Sequence, residues 1–122
     1  MNDGRRERGA AAEQLAANYL AACGIKILAR NLRCKAGEID LVGLDRDVLI
    51  IVEVRQRARL DFGGAAGSVT AAKQRRILRA TRYYLQRETS WRGLAMRFDV
   101  LAVQGSLCAH QVTWIKDAFR AT

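Results

Sequence analysis

Glu53 follows five aliphatic residues, Val48 to Val52, in a stretch patterned as a buried strand. A carboxylate there loses hydration unless it is paired or bound to a cation. Arg55 lies two residues on, on the same strand face. Asp40 interrupts the strand before it. With Asp45-Arg46 as a two-residue turn between these strands, Asp40 faces Ile51, Glu53 is its diagonal neighbour on the same side, and Glu38 faces Glu53. Diagonal neighbours lie roughly 7–8 Å apart at the backbone, close enough for two carboxylates to share an ion. A three-residue turn would send Asp40 to the other face. Two carboxylates without a histidine ligand suit a hard cation, Mg²⁺ or Mn²⁺. Such an ion polarises a phosphodiester and lowers the pKa of a bound water. An ion pair of Glu53 with Arg55 or Arg57, capping the strand end, fits the same spacing.

The elements that must position these groups are legible from periodicity. Ala12, Leu15, Ala16, Tyr19, Leu20 and Cys23 recur at helical spacing. They predict a first helix over Arg5 to Cys23, with Asp3 as N-cap and Gly24 just past its end. Glu13 falls about 90° from the centre of that stripe, at the core boundary, within reach of a neighbouring sheet. Strands are expected at Ile25–Arg33, Glu38–Leu44 and Val48–Arg55, the last central and covered on both faces. Gln56 to Gly67, with Gly63, Gly64 and Gly67, reads as a loop. A long helix is expected from Thr70 to about Glu88, with Ile77, Thr81, Tyr84 and Leu85 inward and Arg75, Arg79, Arg82 and Gln86 outward. Strands at Leu94–Gln104 and His110–Ile115 complete the order αβββαββ. The expectation is one α/β domain over residues 1–122, built on a mixed five-stranded sheet with helices on its faces.

Composition narrows the partners. Twenty-one Lys and Arg against 12 Asp and Glu give a formal net charge of +9. Nine of those cations and one acid, Asp61, lie between Val54 and Arg87. A basic stretch this dense points to a polyanion, and nucleic acid is the expected partner, DNA before RNA. The three cysteines have no Cys-x-x-Cys spacing and one histidine, His110, accompanies them, which excludes zinc fingers and haem attachment. Free thiols suit a reducing compartment, so a cytoplasmic location is expected, with each cysteine a small buried apolar residue. The run Val48–Val52 is too short to span a bilayer, and Glu13, Gln14 and Asn18 break up the N-terminal alanines. No membrane association is expected.

An ordered set of motifs identifies a resemblance that covers nearly the whole chain. Asn31 to Leu41 contains Gly37-Glu38-Ile39-Asp40-Leu41. Val52-Glu53-Val54-Arg55-Gln56-Arg57 follows, then Val69 with Lys73, Arg97-Phe98-Asp99-Val100, and Ala118-Phe119. Together these resemble the YraN-like family of small bacterial proteins, which is assigned to the restriction-endonuclease-like fold and is similar to archaeal Holliday junction resolvases. The nuclease signature is an acid on the first helix, an Asp, then Glu-x-Lys. Glu13, Asp40, Glu53 and Arg55 match it in order. The resemblance implies that Asp40 and Glu53 hold the metal, that Glu13 supports the site, and that Arg55 stands in the lysine position. Arginine is not deprotonated in proteins and cannot serve as a general base, but it stabilises phosphate charge well. The resolvases also imply a homodimer, by analogy alone.

Arg57, Arg59, Lys73 and Arg76 are the expected nucleic-acid contacts. Lys73 begins the second helix, where the helix N-terminus adds its own attraction for phosphate. A solvated first turn is the plainer alternative. Trp91 and Trp114 are expected in the core rather than stacked on bases, and Arg97 with Asp99 as a structural ion pair. Three functions fit: a metal-dependent endonuclease acting on structured DNA, a non-catalytic DNA- or RNA-binding module of the same fold, and an interaction subunit of a larger assembly.

Overall fold

A computed structural model describes residues 3–57, 69–105 and 110–120, with the side chains of all of these except residues 3–8, Arg57 and His110. The element order is α1 (Asp3–Ala22), β1 (Lys26–Cys34), β2 (Gly37–Asp45), β3 (Val48–Arg57), α2 (Ala71–Arg87), a 3₁₀ turn (Thr89–Trp91), β4 (Ala95–Gly105) and β5 (His110–Phe119). The five strands form one sheet in the order β1-β2-β3-β4-β5, antiparallel except for the parallel pair β3–β4. The expected α/β architecture with a mixed five-stranded sheet is therefore observed, with strand ends shifted by a residue or more. β5 extends to Phe119, and β3 runs on through Arg57, so Gln56 and Arg57 are strand rather than loop. Residues 58–68 lie outside the described residues.

The two faces of the sheet carry separate cores. Ala16, Ala17 and Leu20 of α1 pack with Leu41, Ile50, Val52, Leu101 and Val103. Ile77 and Ala80 of α2 pack with Val42, Leu49, Ile51, Val100 and Ala102 on the opposite face. β3 therefore buries alternate residues against different helices, which is why its apolar run is unbroken.

Each helix is closed by local hydrogen bonds. α1 ends where Gly24 adopts φ 91 and its N–H donates to the Ala21 carbonyl, while the Ile25 N–H donates to the Leu20 carbonyl. This pair of bonds satisfies carbonyls the helix cannot and brings Ile25 onto Leu20. Two residues of the expected inner stripe of α1 lie outside it. Tyr19 and Cys23 are exposed, and Ala17 takes the inward position instead. Cys34 is half-buried, so neither described cysteine is the fully buried residue expected, and Cys108 lies outside the described residues. α2 begins at the Thr70 hydroxyl, which accepts from the Lys73 N–H. It ends under Arg92, whose guanidinium donates to the Leu85 and Gln86 carbonyls.

The β2–β3 hairpin corrects the expected register. Asp45 pairs with Val48 and Leu41 with Val52, so the two-residue turn is Arg46-Asp47, not Asp45-Arg46. Asp45 is held in the strand because its carboxylate accepts from Arg97 Nη2 at 2.9 Å. Arg46 takes the left-handed turn conformation, φ 57. The slide by two residues keeps the side chains from Leu41 to Asp45 on their expected faces but changes each partner.

At the far edge, Asp99 is fully buried and its carboxylate accepts from Arg97, from Trp114 Nε1 and from the Asp117 N–H, in a region where the β4–β5 register shifts. The expected Arg97–Asp99 ion pair is structural. Trp91 is buried in the core as expected. Trp114 is half-buried beneath Lys116, whose Nζ lies 4.4 Å from the ring centre. No helix among the described residues is long and apolar enough to cross a membrane.

Candidate metal and phosphate site

The β2–β3 ladder stops at Leu41↔Val52, and Asp40 lies just beyond it. Ile39 and Val42 both join the α2-side core while Leu41 joins the α1-side core, so the alternation of β2 slips by one residue here. The Val54 N–H, which a regular ladder would give to a β2 carbonyl, donates instead to Asp40 Oδ2 at 2.8 Å. Ile51 pairs with Val42 rather than with Asp40, and Asp40 instead meets β3 beside Glu53, through its side chain. The diagonal arrangement and the Glu38–Glu53 pairing expected from the sequence are both replaced. Glu38 instead lies 3.6 Å from Arg33 at the surface.

Asp40 and Glu53 form a tight carboxyl pair. Burial pushes the Asp40 pKa from an ordinary 3.8 up to about 8, reinforced by the charge of Glu53 and by a side-chain hydrogen bond between the two, and opposed by the Val54 N–H. Glu53 is 5% exposed and projects toward α2. There Lys73 Nζ approaches Glu53 Oε2 at 2.6 Å, and Arg55 Nη1 lies 3.8 Å from the same oxygen. The lysine is thus neither a simple solvated residue nor a cation facing outward alone. It overlies the sheet because it sits four residues before the buried Ile77, on the same helix stripe.

Glu13 belongs to α1 and is half-buried, at the core boundary where its spacing put it. Burial raises its pKa; Arg30 and Arg33 oppose this, and Glu38 and Glu53 add to it. Its Oε1 is buried and has no hydrogen-bond partner. Three carboxylates from α1, β2 and β3 therefore feel one another's charge.

These residues fit a hard divalent cation. Two oxygen donors are adjacent, the pKa of one is raised by burial and then by its neighbour's charge, and an acceptor atom on a third carboxylate is buried and unpartnered. Among the described residues no three acidic, histidine or cysteine side chains converge closely enough to enclose an ion by themselves. The candidate donors are thus Asp40 and Glu53, with Glu13 near enough for its charge to act on Asp40.

Of the other expected contacts, Arg76 is exposed on α2 beside the β1–β2 turn, while the side chain of Arg57 and the whole of Arg59 lie outside the described residues. Sequence reasoning missed the Lys73–Glu53 contact and the cations of the β1–β2 turn. The four-residue spacing of Lys73 and Ile77 carried a signal for the first.

The chain matches the pattern of a family described as Uncharacterised protein family UPF0102 over residues 12–103. It is similar to a UPF0102 protein of Pseudomonas putida, 48% identical over 112 residues, which covers 91% of this chain and 90% of the relative. A UPF0102 protein of Nitrosococcus oceani is 44% identical over 115 residues, covering 94% and 93%. One from Legionella pneumophila is 39% identical over 116 residues, covering 95% and 97%.

Proposed function

The chain belongs to the UPF0102 family, and we propose that this member is a nucleic-acid-binding protein that acts as a metal-dependent endonuclease on phosphodiester bonds of structured DNA. The observation that carries this reading is the buried Asp40–Glu53 carboxyl pair with the ammonium of Lys73 against it. A pair of this kind is costly to bury and is seldom retained for stability alone. Mg²⁺ or Mn²⁺ held by Asp40 and Glu53 would supply Lewis-acid polarisation of the phosphate and an acidified water.

The chain's own residues divide the remaining work. Lys73 balances the charge of Glu53, and its side chain, 36% exposed, can offer the ammonium to a phosphate entering from solvent. Arg55 lies alongside, always charged, and its forked guanidinium suits two phosphate oxygens. Glu13 Oε1, buried and unpartnered, is an acceptor for a water proton. The basic stretch from Val54 to Arg87 supplies sequence-independent affinity through the backbone.

One observation favours a second reading. Lys73 at 2.6 Å already neutralises Glu53, as it would in a non-catalytic nucleic-acid-binding module that keeps the fold. Incubation with linear, nicked and branched DNA, in Mn²⁺ and in EDTA, separates the two. The endonuclease reading expects Mn²⁺-dependent cleavage that Asp40→Asn abolishes while binding persists. Binding without cleavage of any substrate in Mn²⁺ would establish the second reading in its place.

A further inference from the structure

The turn joining β1 to β2 builds a second cationic site. Arg33, Lys35 and Arg76 line an open pocket of about 250 Å³ there, with Glu38 as its one acid. Arg33 and Glu38 stand 3.6 Å apart and are both well exposed, so their attraction is weak. Among the described residues, neither Lys35 nor Arg76 has an acidic partner. Two unpaired cations from different elements thus face one opening.

The frame beneath them is fixed. The β1–β2 ladder runs to Cys34↔Gly37, which leaves Lys35-Ala36 as a two-residue turn. The turn lies so close to α2 that a Cβ on Gly37 would stand 2.6 Å from the Arg76 carbonyl oxygen. The Tyr84 hydroxyl donates to the Arg33 carbonyl and ties the same two elements a second time. The cations are therefore presented from a tied surface, which lowers the ordering cost of holding a ligand. Arg76 follows Lys73 by one helical turn and lies on the same side of α2. The row Lys73–Arg76 thus runs from the carboxyl pair to the pocket. Along β2, Gly37 precedes Asp40 by three residues, roughly 10 Å at about 3.3 Å per residue.

From this arrangement we infer that the pocket holds a phosphodiester of the bound DNA, a short step along the backbone from the one at Asp40 and Glu53. Lys35 and Arg76 supply the charge, and Gly37 admits the close packing that aligns them. The pocket would fix the direction in which the DNA backbone crosses the carboxyl pair. This inference rests on the nucleic-acid reading of the preceding section.

The test is a fluorescence-anisotropy titration of the full chain with a labelled duplex at several salt concentrations, for the parent, Lys35→Ala/Arg76→Ala, Arg76→Lys, and an outward-face control, Arg79→Ala/Arg82→Ala. Each lost phosphate contact lowers the magnitude of the slope of log K against log salt by about 0.9. The pocket double variant is expected to lose close to two such increments and to bind at least tenfold more weakly. Arg76→Lys is expected to keep the parent slope, and the outward-face variant to lose less than the pocket variant. Parent-like salt dependence in the pocket double variant, with the parent itself binding in a salt-sensitive way, would overturn the pocket and leave the nucleic-acid reading standing. No salt-sensitive binding by the parent would remove both. A parent slope lost in Arg76→Lys would also overturn the inference, because charge would then not be the operative property.

Discussion

Lys73 and Glu53 are joined across the gap between α2 and β3 by a contact of 2.6 Å, with the glutamate 5% exposed and the lysine open to solvent on one side. Twenty residues of chain separate them, so the contact depends on α2 docking back onto the sheet. The same lysine is the third residue after the Thr70 cap, whose hydroxyl receives its backbone N–H. One residue therefore anchors both the helix start and the charge of a buried acid.

Lys73→Met is expected to destabilise the protein by about 1–3 kcal/mol, the usual cost of leaving a buried polar group without its partner. Glu53→Gln combined with Lys73→Met should cost less than the sum of the two single changes, because the glutamine leaves no charge to compensate. Urea unfolding of the four proteins measures this. Strict additivity would mean that the contact contributes no coupling.

Asp40 makes stability pH-dependent in a stated direction. Its folded pKa, about 8, exceeds the ordinary 3.8, so the folded state holds a proton that the unfolded chain releases. Stability is expected to fall as pH rises from about 4 to about 8 and to level off above, by at most about 1.4 kcal/mol per unit from this group. Asp40→Asn should flatten that part of the profile. Urea midpoints at pH 5, 7 and 9 provide the check. A profile for Asp40→Asn that parallels the parent's would place the proton elsewhere.

Mn²⁺ in millimolar excess is expected to raise the melting temperature, since a ligand bound only by the native state stabilises it by mass action. Asp40 must lose its proton to ligate, so the shift should grow as pH rises toward 8. Asp40→Asn should abolish it. Equal melting temperatures in Mn²⁺ and in EDTA across that range would argue against a metal at this pair.

Gly37→Ala is expected to destabilise by about 1–3 kcal/mol, the usual cost of forcing a methyl group into a filled space. The new Cβ would stand 2.6 Å from a backbone oxygen of α2, and backbone cannot rotate away as a side chain can. Gly93→Ala would meet no atom within 4 Å, but it stands at φ 83, so its cost would be conformational rather than steric. Thermal melts of Gly37→Ala, and of Gly37→Ser as a second probe of the same space, test the close approach. Parent-like stability of both would show that α2 gives way there.

The sequence by itself determined the elements and their faces. Helical and strand periodicity placed all seven main elements, because that periodicity is a local property of which residues must be buried. The acids were legible for the same reason, since Glu53 breaks an apolar run and Asp40 interrupts a strand. Side-chain alternation could not choose between the Asp45-Arg46 and Arg46-Asp47 turns. A slide by two residues returns every side chain to the same face, so burial is equal in both. Tertiary contacts made that choice: Arg97 of β4 holds Asp45 in the strand, and Gly43 fits beneath Ile25, whose Cγ2 would lie 2.7 Å from a Cβ at that glycine. The same choice brought Asp40 beside Glu53. The positions of Lys73 on Glu53 and of Arg76 beside the β1–β2 turn were likewise decided only when α2 packed onto the sheet, because no local pattern encodes which strand end a distant helix will cover.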